Sequence, residues 1–116
     1  MNAKEFVDAI RLLVMEAAVS DTVSVVQRPP GRRPSRELAE LSAWFNGLSE
    51  SDREMLKRML ELVSRQAVFG FLAVLDGARK VGSSESGLDH FELRSVHGTA
   101  IEVLCGPHGD SLHELL

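Results

Sequence analysis

The chain has 116 residues and a mass of 12.7 kDa, the size of one domain, and residues 1–116 are expected to form a single one. Hydrophobic residues make up 44% and charged residues 26%, proportions that fit a packed globular protein and exclude a disordered tail. Thirteen Lys and Arg face seventeen Asp and Glu, for a net charge of −4, which speaks against a broadly cationic nucleic-acid binder. The longest uncharged stretch, Gln66 to Leu75, is half of the ~20 residues that cross a bilayer, so no membrane span is expected.

One cysteine, Cys105, leaves no partner for a disulfide within the chain. Glu5, Asp8 and Arg11 interrupt what would have to be the apolar part of a secretory signal. Both features point to a cytoplasmic protein held together by its core.

Residues 3–18 read as an amphipathic helix, with Phe6, Ile10, Leu13, Val14 and Ala17 on one face. Beyond Ser20 two readings stay open. Asp21 suits the cap of a second helix, while Thr22, Val23, Val25 and Val26 are β-branched and suit a strand. Gln27 to Ser35 is a connector, because three prolines fix φ and withhold donors. Ser35 then caps a helix carrying Leu38, Leu41 and Phe45 on one face, with Trp44 beside them and Asn46-Gly47 as its left-handed end.

Ser49-Glu50-Ser51-Asp52 opens the next helix, where acidic groups oppose the positive end of the dipole. Met55, Met59, Leu62, Val63 and Gly70 form its apolar or small stripe. Glu54–Arg58 and Glu61–Arg65 are i,i+4 pairs on the other side. From Val68 to Leu75 every residue is apolar or small. A buried strand ending in Asp76-Gly77 fits that run, but continuation of the helix is favoured, since nothing between Arg65 and Val68 breaks it.

Gly82 to Gly87 reads as a flexible loop. Residues 90–96 and 99–105 are expected to form a hairpin with a three-residue loop, Val96-His97-Gly98, which puts Phe91, Leu93, Ile101 and Val103 on one face. That face should rest on the long helix. Asp110 suits the cap of a short last helix ending at Leu115. The expected class is therefore α+β: N-terminal helices with one long central apolar helix over about 1–80, then a C-terminal antiparallel β-hairpin and a short terminal helix over about 88–116.

The runs Trp44-Phe45-Asn46-Gly47-Leu48-Ser49-Glu50 and Phe69-Gly70-Phe71-Leu72-Ala73-Val74-Leu75-Asp76-Gly77, with Leu112-His113 near the end, resemble a pattern found in a small uncharacterised bacterial protein family. The resemblance covers roughly residues 40–80 and implies a bacterial, cytoplasmic, single-domain protein. It carries no activity with it.

Three groups of residues are candidates for chemistry. Arg28, Arg32, Arg33 and Arg36 place four cations within nine residues and suit a phosphate or other anion, although no interleaved aromatic is there to stack bases. Cys105, His108 and His113 are weak metal candidates, since thiolate and imidazole suit zinc but the spacing matches no zinc signature. Asp76, after a wholly apolar run, is a buried-acid candidate. No catalytic residue is assigned and no cofactor is implied, because GxSxG, HExxH and a Gly-rich phosphate loop are all missing.

Trp44, Phe45, Met55 and Met59 supply either core or a partner surface. So few elements cannot cover residues 67–75 alone, which favours a homodimer. The expected function is a non-enzymatic protein-interaction or regulatory domain, and the alternative is an anion- or nucleic-acid-binding module built on the Arg-rich connector.

Overall fold

The computed structural model of the chain describes residues 1–79 and 90–116. The expected loop at 82–87 lies outside them. The first helical stretch starts at a capping box: Asn2 Oδ1 accepts from the Glu5 N–H at 2.8 Å, and the Glu5 carboxylate accepts from the Asn2 N–H at 3.0 Å. It continues without a break as α1 (Ala3–Ile10), a π-helical turn (Arg11–Glu16) and α2 (Ala17–Gln27). Helix therefore runs past Ser20 and through Asp21, and the strand alternative for residues 22–26 falls. Val23 and Val26 face Leu41, Trp44 and Phe45 across an apolar cleft, and tertiary packing of this kind overrides β-branched propensity.

The Pro-rich connector leads to α3 (Arg36–Gly47), whose Ser35 hydroxyl accepts from the Leu38 N–H at 3.2 Å. The left-handed ending expected at Asn46-Gly47 is not used, since neither residue has a positive φ and Leu48 is extended. Only Leu48 and Ser49 separate α3 from α4, so the chain must extend at once into the next cap. Asn46 instead donates its amide to the Gln27 carbonyl at 3.1 Å, tying α3 to the end of α2.

Helix α4 (Glu50–Leu75) is 26 residues long and takes in 68–75 as helix. It ends in a Schellman motif. The Ala78 N–H reaches the Ala73 carbonyl, the Gly77 N–H reaches Val74, and Gly77 takes the left-handed φ of 76° that the motif requires. The i,i+4 pairs Glu54–Arg58 and Glu61–Arg65 do not form. Glu54 meets Lys57 at 3.5 Å, and Arg58 leans on the Met55 sulfur. Exposed pairs gain only a few tenths of a kcal/mol, so competing rotamers displace them easily.

Strands β1 (Leu93–His97) and β2 (Ala100–Cys105) form the hairpin. Its loop is Gly98-Thr99 rather than Val96-His97-Gly98, for His97 pairs with Ala100 and Val96 with Ile101. Gly98, at the first central position with φ 61°, gives the two-residue turn whose twist matches the strands. An irregularity between Leu93 and Arg94 then reverses the alternation, so that Leu93 joins Cys105 toward the core. Val96, Ile101 and Val103 are left exposed. Only the root of the hairpin rests on the helices, and the expected seating of a whole apolar face is corrected accordingly.

The core sits where the chain's elements converge. Ala3, Val7, Leu72, Cys105 and Leu112 are buried together, with Phe6, Val68, Leu75, Leu93 and Leu115 packed around them. Helix α5 (Leu112–Leu115) closes it. Arg11, ion-paired to Asp8 at 3.1 Å, donates to the main-chain oxygens of Leu115 and Leu116 at 3.1 and 2.7 Å, so the start of the π-helical turn holds the far end of α5. The fold is α+β with the long helix at its centre.

Candidate functional site

At 100° per residue, Glu54, Arg58, Glu61 and Arg65 share one side of α4. Leu60, Ser64 and Val68 are half-buried and Leu72 is buried. Met55, Met59, Val63, Ala67 and Phe71, each four apart, form a row that drifts about 40° around the helix at each step. Of the apolar stripe, Met55, Met59 and Val63 are 57, 63 and 62% exposed while Gly70 is buried, and Phe71 is 64% exposed. Leu62, beside Met59, is equally open. Of the four residues weighed as core or partner surface, Phe45 is buried, whereas Trp44, Met55 and Met59 are exposed.

The row borders an apolar cleft of about 350 Å³ between the first helical stretch, from Val14 to Thr22, and α4. Val14 and Ala18 line one wall and Val63 and Ala67 the other, with no charged residue among the lining. On the opposite side of the same helix pair the lining is Glu16, Glu61 and Arg65 with Met15. The Ser64 hydroxyl bridges the two helices, donating to the Met15 carbonyl at 2.7 Å. The pair is therefore rigidly spaced, charged on one side and apolar on the other.

Asp76, the buried-acid candidate, follows the last residue of α4 with its side chain 4% exposed. Its carboxylate accepts from the Leu112 N–H at 2.9 Å, from the His113 N–H at 2.8 Å, and from His113 Nδ1 at 2.5 Å. The imidazole also meets Phe69 edge to face, with ring centroids 5.4 Å apart. Asp76 thus caps α5 from 36 residues away. Asp110, the expected cap, makes no such bond, and Ser111 stands at the cap position without a side-chain bond. The structure brings together two residues that the sequence placed in separate candidate groups.

Cys105 is fully buried, its sulfur 3.8 Å from the Leu75 carbonyl. Burial pushes the thiol's pKa up, a backbone hydrogen bond at Leu93 opposes this, and the charges of Asp76 and Glu92 add to the rise. A thiol so placed is a poor nucleophile and a poor ligand. His108 is exposed and His113 is committed to Asp76. Among the described residues, no cluster of three His, Cys, Asp or Glu converges as a metal site.

Arg28, Arg32, Arg33 and Arg36 are all exposed. Arg36 pairs with Glu40 at 3.0 Å, and the other three have no acidic partner among the described residues. Arg28 borders a shallow polar depression with Ser24, Gln27 and Asn46.

Between the two readings left open for Trp44, Phe45, Met55 and Met59, burial assigns Phe45 to the core and leaves the other three on the surface. No protein-family model, no curated protein and no solved structure matches the chain.

Proposed function

We propose that the chain is a non-enzymatic protein-interaction or regulatory domain that works as a homodimer through its apolar helix surface. The observation that carries this reading is the uncovered run Met55, Met59, Leu62, Val63 and Phe71, continuous with the charge-free cleft at Val14. Apolar patches of this length mark interaction sites, and methionine is enriched in them because it adapts to a partner's contour. The buried thiol and the hydrogen-bonded Asp76–His113 pair serve the fold and leave no group poised for catalysis at either place. The setting we propose is the cytoplasm, where the single Cys105 stays a thiol.

Sedimentation equilibrium over a concentration series tests the reading. A dimer at tens of micromolar is the expected result, and a chain that stays monomeric into the high micromolar range overturns it. The alternative, an anion- or nucleic-acid-binding module, rests on the guanidinium groups of Arg28, Arg32 and Arg33. It would be marked by binding to phosphate-rich ligands that weakens steeply with salt.

A further inference from the structure

We infer that the cleft walled by α2, α3 and α4 is a binding site for a small uncharged aromatic molecule, of the size of toluene or xylene. The cleft measures about 230 Å³. Val23 and Val26 wall it from α2, Leu41 and Trp44 from α3, and Leu56 and Leu60 from α4. No polar atom opens into it, and Thr22 is the only lining residue with a polar group on its side chain besides the indole of Trp44. The homodimer reading plays no part, because every wall belongs to one chain.

Size and lining select the ligand. A closed apolar cavity of about 150 Å³ stays dry and takes benzene, so 230 Å³ leaves room for a ring carrying extra methyl groups. Water inside meets no hydrogen-bonding partner on the walls, so an apolar molecule displaces it without losing a bond. A charged molecule finds no counter-charge among the lining residues. Trp44 and the buried Phe45 present rings on the α3 side, and a bound ring gains from them beyond its burial.

The walls are also held apart. The valines on α2 are short and restricted in rotamer, so they cannot reach across to fill the space. The helices around them are tied in pairs. Asn46 on α3 donates to the Gln27 carbonyl on α2 at 3.1 Å, and Ser64 on α4 donates to the Met15 carbonyl at 2.7 Å. Only Leu48 and Ser49 join α3 to α4. The larger cleft at Val14 and Val63 has walls from two helical stretches only and includes Ser64 in its lining, which makes it the internal control.

Titration of the full chain with p-xylene, followed through its methyl resonances, tests the site. Ring-current shifts that saturate at Val23, Val26, Leu41 and Leu56 are the expected result, with Val14 and Val63 unmoved. The fluorescence of Trp44 should change over the same range. Val26→Phe puts one of the chain's own rings into the space. It should keep its circular dichroism and bind p-xylene at least about tenfold more weakly, the cost of losing room for a methyl group or two. Shifts that rise linearly to the solubility limit, or that fall on Val14 and Val63, overturn the proposal. So does a folded Val26→Phe chain that binds as tightly as the unaltered one. Should Val26→Phe fail to fold, the site-resolved shifts of the unaltered chain decide by themselves. If p-xylene leaves every methyl unmoved and Val26→Phe abolishes self-association, a second copy fills the cleft and the ligand is refuted.

Discussion

Replacing Asp76 with alanine deletes an acceptor that two backbone N–H groups and one imidazole share. The Leu112 and His113 N–H groups lie in the first turn of α5, where no earlier residue of that helix can accept from them. Losing a cap costs about 0.5–2 kcal/mol, and each buried donor left unpaired costs about 1–3 kcal/mol before water reaches it. Because α5 is short and its end can open to solvent, the two costs overlap, and we expect a net loss of about 2–4 kcal/mol. For a domain of this size that lowers the Tm by roughly 8–16 °C. Asp76→Asn should fall between, since one amide oxygen can still serve His113 while the –NH2 group faces the Leu112 donor.

Urea unfolding followed by the fluorescence of Trp44, the only tryptophan, reads the global loss. Amide exchange at Leu112 and His113 reads the local one. Protein concentration must be held fixed, because dimerisation shifts apparent stability by mass action. If Asp76→Ala lies within about 0.5 kcal/mol of the unaltered chain and leaves those two amides equally protected, the capping argument is wrong.

Ser64→Ala should cost about 1 kcal/mol by removing the hydroxyl that serves the Met15 carbonyl, with the loss read in urea unfolding. A neutral result would show that the π-helical turn holds its register without that bond. Cys105 should react with a thiol reagent at least about a hundredfold more slowly in the native chain than in urea, the ratio for an opening that costs about 3 kcal/mol. Reaction at equal rates would refute its burial between the hairpin root and α4.

Local signals fixed most of the secondary structure. Ser35 and Ser49 announce α3 and α4 because a cap is a contact over three residues, and Asp76-Gly77 ends α4 through bonds that span only six. The long apolar helix, the hairpin and the short last helix were legible for the same reason. The hairpin's turn was not. Gly98 suits either loop, and the choice was made by an irregularity at Leu93 that lets one side chain reach the core. The candidate site divides in the same way: Asp76 stood out by its apolar surroundings, but its bond to His113 joins residues 37 apart.

What the amino-acid order determined, then, was that α3 and α4 are helices and where each starts, since those outcomes rest on cap contacts a few residues long. Only the tertiary structure decided which side of α4 is dry. Periodicity shows that Met55, Met59 and Val63 share a side, but not which side the rest of the chain can reach. Reach depends on where Ser64 anchors the first helical stretch and on how Asp76 and Arg11 fasten α5, and those bonds turn the Met55–Phe71 row outward.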